Sequence, residues 1–148
     1  MTHPALKYFL SEEARAAGLS FSAPRELDAG FDIRCIDSQI IEPGSYKLIK
    51  TGLHLAVPAG YVCLIKDRSS VALRGGATTA GVIDASYRGE VRVLMHNLAK
   101  ETLSFEAGER VAQCVLVAHL NELEEAVKLE DLGSTERGAD GFGSTGRS

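Results

Sequence analysis

From Asp28 onward the chain is written in short apolar runs, each cut by a turn signal: Pro43-Gly44, Pro58-Ala59-Gly60, Arg74-Gly75-Gly76 and Ala107-Gly108. Proline fixes φ and glycine opens positive φ, so regular structure breaks at each junction. Short runs at near-regular spacing, with few helical stretches between them, predict a sandwich, jelly roll or barrel. The clearest run begins at Val91. Val91, Val93 and Met95 alternate with Arg92, Leu94 and His96, which is a strand with one buried face. Upstream of it, Gly81 to Gly89 offers a β-branched pair, an acid, small residues, a tyrosine and an Arg-Gly corner, and reads as a strand entering a hairpin. Leu53, Leu55 and Val57 also alternate; Tyr61 to Ile65 is apolar on both faces and reads as central; Arg110 to Ala118 reads as a long strand. Leu6 to Leu10 suits a first strand, and Ser11 to Gly18 a short helix with Ser11 as N-cap and Gly18 as stop. Asn121 to Leu132 admits either a helix or a strand.

A chain of 148 residues is one domain with room for an ordinary core. We expect that domain over residues 1–132. Residues 133–148 are Gly-, Ser- and Thr-rich with Phe142 nearly alone as an apolar group, and cannot fold by themselves. The net charge of −4 argues against a nucleic-acid surface, which needs a basic face. An anionic small molecule remains open, because local arginines decide that. Cys35, Cys63 and Cys114 each sit in an apolar run, and an odd count without C-x-x-C fits reduced core thiols of a cytoplasmic protein rather than a disulfide frame or zinc site. No apolar run approaches membrane length, and the N-terminus lacks a signal peptide's pattern.

Five segments carry chemistry. Asp32, between Phe31 and Ile33, is either a turn aspartate bonding its own backbone or a site carboxylate. Arg68-Ser69-Ser70 sets a guanidinium fork beside two hydroxyls, a cradle for phosphate oxygens or a solvated loop. Asp84 is either an acid that orients and deprotonates a water or a strand-end partner of Arg88 or Arg68. Tyr87, three residues on, is a flat wall for a sugar or a ring packed on the sheet. Gln113 lies amid Val, Ala, Cys and Leu, and bonds neighbouring backbone or points into a site. The tail Arg137-Gly-Ala-Asp-Gly-Phe-Gly-Ser-Thr-Gly146 is a frayed terminus or a lid that orders over ligand, its ring stacking on a base and its arginine meeting phosphate. It lacks the Gly-Lys-Ser/Thr ending of a Walker loop. His3, His54, His96 and His119 have no ligand spacing.

In this order the segments Ala29-Gly-Phe-Asp-Ile33, Arg68-Ser-Ser70, Gly81-Val-Ile-Asp-Ala-Ser-Tyr-Arg-Gly89, Gly108-Glu-Arg-Val-Ala-Gln113 and the tail resemble the motifs of the trimeric dUTPase family. The resemblance implies an all-β, distorted jelly-roll (β-clip) subunit in a homotrimer, with C-terminal arm exchange and sites built from more than one chain. It also implies hydrolysis of dUTP to dUMP and pyrophosphate, which keeps uracil out of DNA and supplies dUMP for thymidylate synthesis. By the same resemblance Asp84 activates the water that attacks the α-phosphorus. Tyr87 packs on deoxyribose, and backbone around Thr78 and Gly81, Val82, Ile83 and Asp84 reads the uracil edge. Arg68, Ser69, Ser70 and Gln113 hold the phosphates. Phe142 stacks on uracil while Arg137, Gly143 and Ser144 close over the γ-phosphate. Mg²⁺ rides on the triphosphate, with Asp32 helping through water. Asp140, Ser70 and Thr78 depart from residues frequent in the family.

Two alternatives differ in class. A dCTP deaminase of the same fold superfamily needs a strand glutamate that would fall near Leu94, and a leucine cannot move protons. A nucleotide-sensing module without catalysis would not need Asp84, Arg137 and Phe142 together.

Overall fold

The computed structural model describes residues 4–140, and its regular structure is almost all β. The strands are β1 (Lys7–Leu10), β2 (Phe31–Arg34), β3 (Gln39–Ile41), β4 (Tyr46–Ala56), β5 (Tyr61–Lys66), β6 (Gly76–Thr79), β7 (Val82–Ile83), β8 (Glu90–Asn97), β9 (Leu103–Phe105) and β10 (Arg110–Ala118). Two short helices, α1 (Glu12–Ala16) and α2 (Ser69–Leu73), and a 3₁₀ helix over Leu129–Leu132 complete the described elements. One sheet runs β1-β4-β8-β6, a second β2-β10-β5-β7, and β3 pairs with β9 alone. Every ladder is antiparallel.

The alternation seen in the sequence becomes the core. Val91, Val93 and Met95 of β8 are fully buried, together with Ile49, Leu53 and Leu55 of β4. Ile33, Cys63, Ile65 and Cys114 of the second sheet join them in one cluster. Truncating such a side chain, as in Met95→Ala, costs about 2–5 kcal/mol through lost transfer energy and a residual cavity. The three cysteines are buried and free. Burial pushes the Cys35 thiol up, and the nearby Cys63 sulfur with burial does the same to Cys114. Helix α1 begins as expected: the Ser11 hydroxyl accepts from the Ala14 N–H at 3.2 Å, and Gly18 beyond its end takes φ +73°.

Two expectations change. Residues 84–89 are not a hairpin turn, because β7 pairs with β5 in the second sheet while β8 pairs with β4 and β6 in the first. The segment crosses between the sheets. A close backbone contact ties the start of the segment to β5: the Ile65 N–H donates to the Gly81 carbonyl at 2.7 Å, and a Cβ on Gly81 would lie 2.7 Å from the Ile65 oxygen. Residues 121–128 are neither α-helix nor strand. Leu120, Leu123 and Val127 are almost wholly exposed there, with no apolar face against the body to stabilise either form. No helix among the described residues is long and apolar enough to cross a membrane.

Candidate active site

The crossover from β7 to β8 borders a cleft of ≈ 460 Å³ lined by Ala80, Val82, Ile83, Asp84, Tyr87 and Glu90, among others. Its approach is strained and tight. Ala80 holds a left-handed φ of +53°, which disfavours a residue with a Cβ. The Gly81 carbonyl accepts from Ile65, so the alternation of an antiparallel pair makes Val82 opposite Leu64 the non-bonded pair. Val82 therefore turns its N–H and C=O to the open edge of the sheet, where β7 is the last strand.

Asp84 follows, exposed, and no side chain among the described residues pairs with its carboxylate. Arg88 instead donates to the carbonyls of Ala85 at 2.6 Å and Tyr87 at 2.8 Å, and Arg68 is engaged elsewhere. The Tyr87 ring is anchored at its hydroxyl, which donates to the Glu90 carbonyl at 2.9 Å, over Gly89, where a Cβ would collide with the phenol. The residue is 44% exposed and lines the cleft.

A second cleft, of ≈ 560 Å³, holds the charges. Arg25, Asp28, Asp32, Arg68, Arg110 and Gln113 line it, with Ser69 and Gly30. Asp32 is not a turn residue bonding its own backbone. It sits on β2 and bridges two guanidinium groups, Arg68 at 3.0 Å and Arg110 at 3.1 Å. Gln113 both bonds neighbouring backbone and borders the cleft. Its amide N–H donates to the Asp67 carbonyl at 2.9 Å, and its side chain lines the cleft because Gly30 has no Cβ to collide with the amide. Ser69 and Ser70 form the first turn of α2, a helix not anticipated from the sequence.

Asp84 and Tyr87 thus line one cleft and Arg68, Ser69 and Gln113 another. The two are joined by an apolar ladder on the outer face of the second sheet: Val82 of the first cleft faces Leu64, and Leu64 faces Val115 of the second. Thr78 lies on β6 and lines neither cleft. Its N–H and its hydroxyl both donate to one Asp67 oxygen, each at 2.7 Å. The Arg137 Nε donates to the Asp140 carbonyl at 2.9 Å within an exposed turn, outside both clefts. Phe142, Gly143 and Ser144 lie outside the described residues.

Arg25, Arg110 and Glu90 were missed in the sequence. Arg110 stands inside a quoted segment, but its partner is 78 residues away and only the β2–β10 ladder brings them together. Arg25 and Glu90 carry no local signal. For Mg²⁺, no group of three or more His, Cys, Asp or Glu side chains among the described residues could form a cage. The clefts fit an ion that arrives on phosphate oxygens and keeps several waters.

The fold and the paired clefts define an all-β domain with one cleft around a carboxylate without a described side-chain partner and another lined by arginines. The dUTPase of Staphylococcus bacteriophage 80alpha, solved with dUPNHPP, superimposes with a TM-score of 0.81 at 29% identity, covering 98% of this chain and 100% of that one. A dUTPase from phage phi11 of S. aureus, whose structure details coordination of a structural Mg(II) ion, gives 0.74 at 27% identity over 86% of this chain and 99% of its own. The deoxyuridine 5'-triphosphate nucleotidohydrolase of Wolinella succinogenes is 46% identical over 123 residues, 81% of each chain. The dUTPase family profile matches residues 17–146. The chain belongs to the dUTPase family.

Proposed function

We propose that the chain hydrolyses dUTP to dUMP and pyrophosphate by in-line attack of water on the α-phosphorus. One observation carries the reading: an exposed carboxylate without a described side-chain partner, Asp84, stands between an open strand edge and a tyrosine ring. Asp84 orients and deprotonates the water. The outward N–H and C=O of Val82, with Gly81 and Ile83 beside it, meet the donor and acceptors of uracil, where a wrong base edge would leave buried groups unpaired. Tyr87 packs on the deoxyribose. Arg68, Ser69, Ser70 and Gln113 take the phosphates, and their charge and hydrogen bonds stabilise the leaving pyrophosphate. Mg²⁺ supplies charge neutralisation on the triphosphate oxygens, with Asp32 reaching it through water.

The two clefts are halves that need a neighbour. We read the assembly as a homotrimer in which one subunit's Asp84 cleft meets another's arginine cleft. The exposed outer face of the first sheet supports this. Tyr46 and Leu48 are 64% and 54% exposed, opposite His96 and Leu94, and Leu48 also lines the Asp84 cleft. Residues 119–132 present Leu120, Leu123, Val127, Leu129 and Leu132 to solvent. This suits an arm that crosses to a neighbour and delivers residues 133–148, with Arg137, Phe142, Gly143 and Ser144, as a lid. The buried thiols fit a cytoplasmic setting.

Pyrophosphate release measured across dUTP, dCTP, dTTP and UTP, with the mass of the assembly determined on the same sample, tests this. Pyrophosphate from dUTP far above the others, from a trimer, is expected. Ammonia released from dCTP, or no product from dUTP, overturns it.

A further inference from the structure

We propose that Glu90 is a positioning residue: its carboxylate fastens the crossover bearing Asp84 and Tyr87 to a bulge in β4. The inference rests on reading that cleft as the catalytic one.

The bulge is explicit in the register. Ile49 faces Val93 and Leu53 faces Val91, so Lys50, Thr51 and Gly52 of β4 stand against Arg92 alone. Extra residues in a ladder leave backbone groups without cross-strand partners, and those groups need others. Two of them find Glu90. One carboxylate oxygen accepts the Gly52 N–H at 3.0 Å and the Thr51 N–H at 3.2 Å, and the other accepts from the Arg92 Nε at 2.8 Å. Burial by itself would push this carboxyl up. The Gly52 N–H, the Arg92 guanidinium and the Thr51 N–H outweigh it and hold the group below its ordinary value.

The floor to which Glu90 is tied is rigid. The Lys50 carbonyl accepts from the Ile36 N–H at 3.1 Å, the Gly52 carbonyl from the Ser11 N–H at 2.8 Å, and the Thr51 hydroxyl donates to the Val91 carbonyl. The crossover has no such ladder, since no residue between Ile83 and Glu90 belongs to a strand. Its fasteners are few. The Tyr87 hydroxyl donates to the Glu90 carbonyl, the Tyr87 N–H donates to the Asp84 carbonyl at 3.1 Å, and the Arg88 carbonyl accepts from the His54 Nδ1 at 2.9 Å. The Glu90 side chain thus holds the β4 bulge while its main-chain carbonyl holds the Tyr87 hydroxyl, and the Tyr87 backbone N–H in turn holds the Asp84 carbonyl. Displacing a reacting group by about 1 Å can cost on the order of 10²-fold in rate, which is the scale of effect such a fastening controls.

The test measures kcat and KM for dUTP in the full-length Glu90→Ala and Glu90→Gln proteins, with Ile41→Val as a control in the fully buried core away from the cleft. Glu90→Ala should lower kcat by roughly ten- to a hundredfold while KM moves by less than about threefold. Glu90→Gln keeps an amide oxygen for the two bulge N–H groups and should recover most of kcat. Ile41→Val should lower the thermal midpoint without lowering kcat. An unchanged kcat in Glu90→Ala, a Gln variant as impaired as the Ala variant, or a rate loss in all three that follows the unfolded fraction overturns the assignment. Absence of dUTP hydrolysis by the unsubstituted chain would instead remove the reading of the cleft, and this inference with it.

Discussion

The two clefts handle charge in opposite ways. In the arginine cleft, Asp32 sits between Arg68 and Arg110 and neutralises part of their charge before any ligand arrives. In the other, Asp84 has no described cationic partner, and the nearby Arg88 is occupied by carbonyls. A grip on polyphosphate tolerates pre-paired arginines, because a multiply charged ligand competes for them. A general base does not tolerate it, since an adjacent cation would weaken its hold on a proton. On the proposed reading, the difference separates holding, in the arginine cleft, from chemistry, in the Asp84 cleft.

The largest expected effect falls on the chemistry. Asp84→Asn keeps the shape of the cleft and removes the base, so kcat for dUTP should fall about 10²–10⁴-fold while nucleotide still binds. Wild-type turnover in that variant would erase the contrast between the clefts. Arg68→Ala comes next, with a loss of about 10²-fold in kcat/KM, and binding of a non-hydrolysable dUTP analogue by calorimetry should weaken in parallel. Unchanged affinity would move the phosphate site elsewhere. Gly30→Ala is milder. The new methyl displaces the Gln113 amide, and losing one hydrogen bond to phosphate should raise KM roughly three- to tenfold with little change in kcat.

The smallest effect concerns pH. The folded-state pKa of Glu90 is depressed below its ordinary 4.5, so its stabilisation is fully present above that value and is lost as pH falls through the lower folded value. Thermal midpoints of Glu90→Gln should therefore decline less steeply than wild type below pH 4.5. Parallel slopes would show that the bulge hydrogen bonds do not favour the ionised carboxylate.

Features governed by short-range rules were legible in the sequence. The burial of Val91, Val93 and Met95, the Ser11 cap and the span Arg110–Ala118 came from periodicity and capping chemistry. β6 was missed because Gly76-Ala77-Thr78-Thr79 has no apolar alternation and is held by β8 and by Asp67. The small β3–β9 pair joins residues more than sixty positions apart. At the sites, Asp84 and Arg68 were legible as residue types in a motif. That Asp32 clamps two arginines, or that Glu90 grips β4, depends on ladder register, which no local pattern encodes.

Gly52 has one further implication. Its φ is +65°, and a Cβ there would lie 2.5 Å from the Ser11 hydroxyl and 2.6 Å from the Ala14 methyl. D-alanine suits the dihedral but aims its methyl differently, whereas every L-residue meets both the backbone penalty and the helix. A library randomised at this codon and selected for turnover should return glycine almost alone, although the position lines neither cleft. A packed strand position of that kind is a poor place to look for drug resistance and an equally poor place to cut or permute the chain, changes that are tolerated at exposed loops.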